Sequence, residues 1–265
     1  MTIAVGYKCF DGVVLAADTE YTWGDFKIPG RKLFTLPHRE NYRIGITGDG
    51  SVDFIKAYTE TLNECLDETM TDRGIKKIVG ATLRKFYRDH VYALPDSERE
   101  GYYFNIILGM WSKDGGFSLM MSEKTAVHWN HEAAYVGTGA PFAAYLMDSL
   151  NRTHISAEDA ALASVYAVKL AKKYAVNCGK DTHLVVIQDH GKTFCMDDRL
   201  YGDTERFFDR FGFMAGQLFS VMGTQYFTDD DAKMLLGDFS SEVMKFRQRQ
   251  KDRSHWRDLL SGFDV

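Results

Sequence analysis

The sequence of 265 residues predicts an α+β protein, a four-layer αββα sandwich in which helices cover the outer faces of two antiparallel sheets. Two observations lead to this prediction. The chain opens with a β-hairpin over residues 2–18, and after further strands it continues with two consecutive helical patterns between residues 52 and 92. Two successive helices are what a sandwich of this kind needs to cover one sheet face.

The opening hairpin is predicted from two apolar, β-branched runs on either side of Asp11-Gly12. This dipeptide readily supplies the positive φ angles of a tight turn. The second run covers residues 13–17 and ends at a carboxylate, Asp18. Because antiparallel pairing returns the chain toward its N-terminus, we expect Asp18 to lie close to Thr2.

Thr2 is the candidate nucleophile. Methionine aminopeptidases generally remove Met1 when the next residue is small, so we expect the mature chain to begin at Thr2. A terminal threonine carries a hydroxyl and an α-amine, and the reference pKa of an α-amine is about 7.7–8.0. Such an amine can accept a proton at neutral pH, so one residue can act as nucleophile and base together.

Strands are predicted next within residues 19–28, which include a turn at Gly24, and then at 32–36 and 42–47. Lys32 begins the second of these strands. An ammonium group near the Thr2 hydroxyl would favour its deprotonation, and Asp18 would keep that ammonium charged and oriented. The third strand leads into Gly48-Asp49-Gly50.

Apolar spacing predicts a first helix from an N-cap at Ser51 to about Met70 and a second over residues 73–92. Residues 93–101 are a predicted polar loop. A strand hairpin at 102–111 and 116–121 and a strand at 133–136 follow. His128 and His131 lie between these strands with no carboxylate pair nearby, so we expect loop histidines and no metal site.

The chain then runs into a predicted helix at 142–150, a long helix from the N-cap Ser156 to about residue 176, and a strand at 182–187. Beyond residue 190 we predict a short strand, an aromatic-rich stretch and a charged helix from the N-cap Thr228 to about Arg253. We predict one domain over residues 1–265, with 190–265 as a C-terminal, mainly helical extension. That extension either docks on a neighbouring subunit or covers its own core.

The beginning of the chain resembles proteasome β-type subunits, which are N-terminal-nucleophile (Ntn) hydrolases. The resemblance covers residues 2–188, and the matching features are Thr2, Gly12, the run that ends at Asp18, the loop 22–24 and Lys32-Leu33. Because no propeptide precedes Thr2, the chain is more similar to the short bacterial relatives, HslV and Anbu, than to eukaryotic β-subunits. The resemblance implies a threonine peptidase that acts on peptides or unfolded protein and assembles into rings. An ATPase partner follows only by analogy.

The resemblance also implies roles for residues further along the chain. Gly48 matches the residue whose backbone N–H binds the oxyanion, with Asp49 and Gly50 as alternatives. A turn that merely starts a helix explains this glycine equally well. Thr138 stands where β-subunits have a serine near the nucleophile, although its hydroxyl could instead cap the following helix.

The sequence departs from the β-subunit pattern at two supporting positions. Where β-subunits place an aspartate and a serine behind the nucleophile, this chain has Ala175 and Cys178. Two rival functions therefore stay open: a non-proteolytic Ntn amidohydrolase that acts on a small amide, and a catalytically inactive structural subunit. Pocket residues are expected near residues 20–21, 31 and 47–53, without a predicted specificity.

Composition excludes several other classes of protein. A net charge of −5 gives no basic surplus for nucleic acid, and no apolar run reaches the roughly 18–20 residues of a membrane span. The four cysteines are scattered, which favours reduced thiols over disulfides or zinc. We expect a cytoplasmic protein that needs no cofactor and binds neither nucleic acid nor membrane.

Overall fold

The computed structural model describes residues 2–23, 26–150, 155–196, 198–223 and 226–260. Met1, where processing is expected, and Gly24, where a turn is predicted, lie outside these ranges. The chain separates into two compact units, Met1–Tyr201 and Gly202–Val265. The first unit holds the candidate catalytic residues.

The first unit contains two five-stranded antiparallel sheets. The first sheet has the spatial order β10 (Ala133–Gly137), β1 (Ile3–Lys8), β2 (Gly12–Asp18), β11 (Thr182–Gln188) and β12 (Thr193–Met196). The second sheet has the order β5 (Leu33–Thr35), β6 (Tyr42–Gly50), β7 (Phe104–Ser112), β8 (Gly116–Glu123) and β9 (Ala126–Trp129). A small separate hairpin joins β3 (Glu20–Trp23) to β4 (Phe26–Pro29). The predicted hairpin around Asp11-Gly12 is present as β1 and β2.

The two sheets pack face to face. Leu15 and Val185 of the first sheet share one buried apolar cluster with Ile107 and Leu119 of the second. Close approach depends in places on missing side chains: a Cβ atom on Gly109 would lie 2.5 Å from the Val13 side chain. The core between the sheets therefore requires glycine at this crossing.

Helices cover both outer faces. They are α1 (Val52–Cys65), α2 (Asp72–Phe86), α4 (Ala140–Leu150) and α5 (Ala157–Tyr174), whereas the short helix α3 (Asp96–Arg99) buries no residue. α1 and α2 pack on the second sheet through a cluster that includes Tyr58 and Leu83. On the first sheet, α4 and α5 approach β1 so closely that a Cβ atom on Gly139 would lie 2.6 Å from Ile3 and 2.7 Å from Ala171. The predicted αββα sandwich is confirmed.

Several predicted boundaries are corrected. α1 ends at Cys65 and not near Met70, and the Asp67 carboxylate accepts a hydrogen bond from the Thr69 amide in the turn that follows. The predicted loop 93–101 contains the short helix α3, and the guanidinium of its last residue, Arg99, donates to the carbonyl of Leu94. Both segments are held by side-chain hydrogen bonds. Such bonds leave no periodic pattern of apolar residues in the sequence, so these boundaries could not be predicted from spacing.

The strand β9 was not predicted. It pairs with β8, and His128 lies opposite Met121 in that pair, so this histidine belongs to an edge strand and not to a loop. Ser156 does cap α5 as expected, because its hydroxyl accepts a hydrogen bond from the Asp159 amide at 3.1 Å. Ser51 occupies the N-cap position of α1 without such a bond.

The second unit is built from α6 (Asp198–Met222) and α7 (Asp229–Leu260). The two helices run antiparallel, since Phe207 stacks on Phe246 at 3.9 Å between ring centroids and Phe211 faces Phe239 at 5.7 Å. Thr228 caps α7, and its hydroxyl accepts from the amide of Asp231. α7 continues past the predicted end at residue 253.

The predicted extension over 190–265 begins before the second unit. Its first part includes β12, which pairs with β11 in the first sheet. Among the helices that the structure describes, none has the length and apolar content required to cross a lipid bilayer.

Candidate active site

The opening hairpin brings Thr2 and Asp18 together. The register pairs Ala4 with Ala17, so the residues at the open ends of β1 and β2 are neighbours. The Thr2 hydroxyl donates a short hydrogen bond to Asp18 Oδ1, and the Ile3 amide donates to the same oxygen at 3.1 Å. The proximity expected from antiparallel pairing is observed.

Lys32 completes this cluster from the chain just before β5. Its Nζ atom lies 2.8 Å from Thr2 Oγ1 and 3.0 Å from Asp18 Oδ1. The Lys32 carbonyl accepts from the Thr47 hydroxyl at 3.0 Å, which fixes the backbone from which the side chain extends. Lys32 is only 2% exposed and Asp18 is fully buried.

Burial lowers the pKa of Lys32, and the charge and hydrogen bond of Asp18 act in the opposite direction. A buried ammonium is tolerated when a carboxylate compensates its lost hydration. The charge on Lys32 therefore depends on Asp18.

Asp18 is held at both carboxylate oxygens. Oδ1 accepts from Thr2, Ile3 and Lys32, while Oδ2 accepts from the amides of Glu20 at 3.2 Å and Gly179 at 3.0 Å. Such a set of donors fixes the orientation of the carboxylate. The contribution of Gly179 was not predicted, because it comes from a segment 161 residues further along the chain.

Tyr21 lies in one of the regions where pocket residues are expected, but its contact with Lys32 was not predicted. Lys32 Nζ lies 5.8 Å from the centroid of its ring, within the range of a cation–π interaction. The Tyr21 hydroxyl donates to the carbonyl of Arg31 at 2.8 Å, and burial raises the pKa of this phenol to about 12. A Cβ atom on Gly30 would lie 2.3 Å from the ring. Tyr21 thus covers the lysine, and Gly30 leaves room for it.

Thr138 lies beside the backbone of Thr2. Its hydroxyl donates to the carbonyls of Thr2 and Val176, both at 3.4 Å, and the Gly139 amide donates to the same Thr2 carbonyl at 3.3 Å. Gly137 has a φ of 93°, and a Cβ atom there would lie 2.1 Å from the Thr2 carbonyl oxygen. The segment 137–139 therefore positions the main chain of Thr2. The run of glycines around Thr138 was the signal in the sequence.

The two unusual supporting positions lie at the end of α5. Ala175 offers no polar side-chain atom, and its amide donates to the carbonyl of Ala171. Cys178 is buried, with Sγ 3.7 Å from Thr138 Oγ1, and burial raises the pKa of this thiol. The supporting carboxylate of β-subunits is therefore missing at this position, and a largely protonated thiol stands where they have a hydroxyl.

Gly48 lies inside β6 and not in a loop. It pairs with Ile106 of β7, and a Cβ atom on Gly48 would lie 2.0 Å from the carbonyl oxygen of Asn105. Sheet packing alone therefore requires glycine at this position, and its role as an oxyanion donor stays a prediction. At the alternative position, the Asn105 amide donates to Asp49 at 2.9 Å, and burial raises the pKa of that carboxyl.

Metal ligands are not clustered in the part of the chain that the structure describes, where no three His, Cys, Asp or Glu side chains are placed to hold an ion. The cluster around Thr2 instead offers a hydroxyl between an ammonium and a carboxylate, which is an arrangement suited to nucleophilic catalysis.

Comparisons with known proteins identify the family of the chain. The family model for "Proteasome subunit" matches residues 2–187. Proteasome subunit beta 2 of Pyrobaculum neutrophilum is 26% identical over 190 residues, which cover 71% of this chain and 89% of that protein. The corresponding protein of Thermococcus gammatolerans is 28% identical over 207 residues, with 72% and 92% covered.

A solved structure adds the fold. The Gly-1 mutant of Anbu from Hyphomicrobium sp. strain MC1 superimposes with a TM-score of 0.68 at 16% identity, covering 84% of this chain and 99% of that one. The αββα sandwich is accordingly that of the Ntn hydrolases. Since the family model spans well over half of the sequence, the chain belongs to the proteasome subunit family.

Proposed function

We propose that this chain is a threonine-type peptidase of a proteasome-like assembly, in which Thr2 attacks peptide bonds after removal of Met1. The observation that carries the proposal is the position of the Thr2 hydroxyl, hydrogen-bonded to Lys32 Nζ at 2.8 Å and to the Asp18 carboxylate. Membership of the proteasome subunit family supports the coarser conclusion of a proteasome-like subunit related to hydrolases.

The reaction proceeds through an ester. Thr2 Oγ1 attacks the carbonyl carbon of the scissile bond, and the α-amine of Thr2 accepts the hydroxyl proton. The C–N bond of the tetrahedral intermediate then breaks, and the leaving amine takes up that proton. Water attacks the resulting ester, its proton returns to the threonine oxygen through the α-amine, and the carboxylic acid product leaves.

Each neighbouring residue has one task in this scheme. The Lys32 ammonium stabilises the developing negative charge on the Thr2 oxygen, and Asp18 keeps that ammonium charged. The Gly48 N–H donates to the oxyanion of the tetrahedral intermediate. Thr138 holds the backbone of Thr2 through its carbonyl. None of these steps calls for a metal or an organic cofactor.

Peptides or unfolded protein are the proposed substrates, and self-assembly into rings is the proposed quaternary state. The solved helical assembly of the Anbu complex from Pseudomonas aeruginosa, with a TM-score of 0.66 and 14% identity over 81% of this chain and 96% of that one, supports self-association. An ATPase partner remains an analogy. The four free cysteines agree with a reducing compartment, so we place the protein in the cytoplasm.

A second candidate is an inactive structural subunit. It is favoured by Ala175 and by the Cys178 thiol, since neither supplies the polar group that β-subunits have there. A third, the amidohydrolase on a small amide, would share the nucleophile with the peptidase and differ from it only in substrate.

The proposal is tested by intact mass of the purified protein before and after incubation with a peptide epoxyketone. This warhead forms its adduct with both the hydroxyl and the free amine of an N-terminal threonine. Thr2→Ala is the matched control, because alanine is also small enough for Met1 removal and lacks only the hydroxyl.

We expect loss of Met1 and one adduct per chain that is absent in Thr2→Ala. A retained Met1 with no adduct would overturn the mechanism in favour of the structural subunit. An adduct together with turnover of small amides and none of a peptide panel would favour the amidohydrolase.

A further inference from the structure

The hairpin of α6 and α7 leaves large apolar side chains in solvent. One aromatic stripe is buried between the helices, where Phe207 stacks on Phe246. Other large apolar side chains of this unit are exposed: Phe213, Phe219, Met222, Tyr226, Phe227, Met234, Leu236 and Met244. Two helices can bury only the faces that they turn toward each other, so the remaining apolar faces call for a further partner.

One side of the hairpin forms a groove of about 240 Å³. Apolar and charged side chains both line it, among them Phe213, Met214, Leu235, Arg210, Asp238 and Glu242. The Phe213 ring is 69% exposed. Arg210 pairs with Glu242 across the two helices at 3.2 Å, whereas Asp238 has no ion-pair partner among the described side chains.

Charge is divided along α7. Residues 229–238 carry four aspartates (Asp229, Asp230, Asp231 and Asp238) against one lysine, Lys233, and residues 245–251 carry Lys245, Arg247, Arg249 and Lys251. The helix dipole favours cations only in the last turn, and α7 ends nine residues after Lys251, at Leu260. The dipole therefore does not account for this basic segment. Arg249 is exposed and has no ion-pair partner among the described side chains.

Asp238 and Arg249 lie on the same side of α7. They are eleven residues apart, which is close to three helical turns and roughly 16 Å along the axis. The groove side of the helix thus presents a free carboxylate and, three turns later, a free guanidinium. When two copies of such a surface face each other in antiparallel orientation, the negative group of each copy lies opposite the positive group of the other.

We propose that this groove is an interface with a second copy of the chain. The two α7 helices run antiparallel about a two-fold axis, so that Asp238 of each copy meets Arg249 of the other and both Phe213 rings are covered. A two-fold contact uses the same patch twice, which this charge pattern permits. A partner with one sign of charge would match only one end of the patch. The proposal does not depend on Thr2 being a competent nucleophile.

The test uses sedimentation velocity of the full chain at low salt, with Asp238→Arg and Arg249→Asp as separate variants. Each change places like charges opposite each other at both ends of the interface. We expect the particle mass to fall to half of the wild-type mass or less in either variant, while far-UV circular dichroism stays unchanged. An equimolar mixture of the two variants should regain the wild-type mass, because each contact again joins opposite charges.

Phe213→Ser and Phe219→Ser form a matched pair. Both rings are exposed on α6, but six residues place them about 120° apart around the helix. We expect Phe213→Ser to weaken association about tenfold or more, as loss of a buried phenyl ring does, and Phe219→Ser to leave it unchanged.

Three results would overturn the proposal. They are a wild-type chain that does not self-associate, single variants that stay as associated as the wild type, and a mixture that stays dissociated. The first two would mean that something other than a second copy covers the groove. The last would mean that the charges act without meeting across a two-fold axis. An equal loss in Phe219→Ser would move the contact to another face.

Discussion

The cluster around Thr2 and the α6–α7 hairpin differ in what they keep from water. In the cluster, ionised side chains are buried, and Asp18 alone accepts hydrogen bonds from five donors. In the hairpin, apolar rings are left in solvent, with Phe213 69% and Phe219 74% exposed. A buried charge that loses its partner is costly, whereas an exposed ring contributes little to the fold of its own chain.

The difference separates two kinds of constraint. Residues of the cluster are fixed by one another, so a single substitution there disturbs several buried contacts at once. Side chains of the α6–α7 hairpin are of two kinds. Those in the buried stripe between the helices stabilise the fold, whereas those on the exposed faces would matter only for a contact outside the hairpin. Substitutions in the two regions test that division.

Asp18→Asn should cause the largest loss of stability. Asparagine removes the counter-charge of Lys32 and replaces one acceptor oxygen by a donor amide, so a buried ammonium and at least one backbone donor lose their partners. Removing one member of a buried ion pair costs about 3–5 kcal/mol. We expect the free energy of unfolding from urea titration to fall by about that amount, with loss of epoxyketone labelling.

The matched control is Asp181→Asn, at an exposed aspartate just before β11. It should change the free energy of unfolding by no more than about 0.5 kcal/mol. If Asp18→Asn were as mild as this control, the cluster would not be held together by its charges.

Phe207→Ala should rank next and act on the hairpin. The Phe207 ring is buried and stacks on Phe246, so its removal leaves a cavity in the stripe that joins α6 to α7. Truncation of a buried phenylalanine costs about 3 kcal/mol or more. We expect thermal unfolding followed by circular dichroism at 222 nm to show an early loss of helical signal.

Phe219→Ala, on the same helix, is the control for Phe207→Ala. Because its ring is exposed, the change in stability should be within about 0.5 kcal/mol. A comparable loss in both variants would show that the exposed face is itself part of the fold, and the distinction between stripe and face would fail.

Sequence reasoning reached the parts of this molecule that depend on local spacing. The hairpin turn at Asp11-Gly12 fixes the register of β1 and β2, and that register alone places Asp18 next to Thr2. Lys32 could be proposed as a site residue because the sequence places it at the beginning of a predicted strand. Fold class, most helices and the central strands came from the same periodicities.

What escaped prediction depends on contacts between distant segments. Tyr21 lies over Lys32 because Gly30 leaves room for its ring, and Gly179 donates to Asp18 from a loop behind β11. β9 was missed because it is a short edge strand whose four residues alternate between exposed and partly buried positions. Gly48 was predicted in a loop because two glycines on either side of Asp49 resemble a turn. In the structure it lies in β6, where the neighbouring strand leaves no room for a side chain.

Per pH unit, the smallest effect we predict is the pH dependence that Lys32 gives to stability. Burial lowers its pKa in the folded state, against the opposing charge of Asp18, whereas an unfolded lysine titrates near about 10.4. As pH rises through the folded pKa, the folded chain therefore loses this proton before the unfolded chain does. The free energy of unfolding of the wild type should then increase relative to Lys32→Met, by up to about 1.4 kcal/mol per pH unit. Urea titrations of both chains from about pH 7 to about pH 10 measure the difference, in which the buried tyrosines common to both cancel. A difference that falls with pH would mean that the charge of Asp18 outweighs burial and raises the pKa of Lys32 in the folded state. The cluster would then behave like an ion pair at the protein surface.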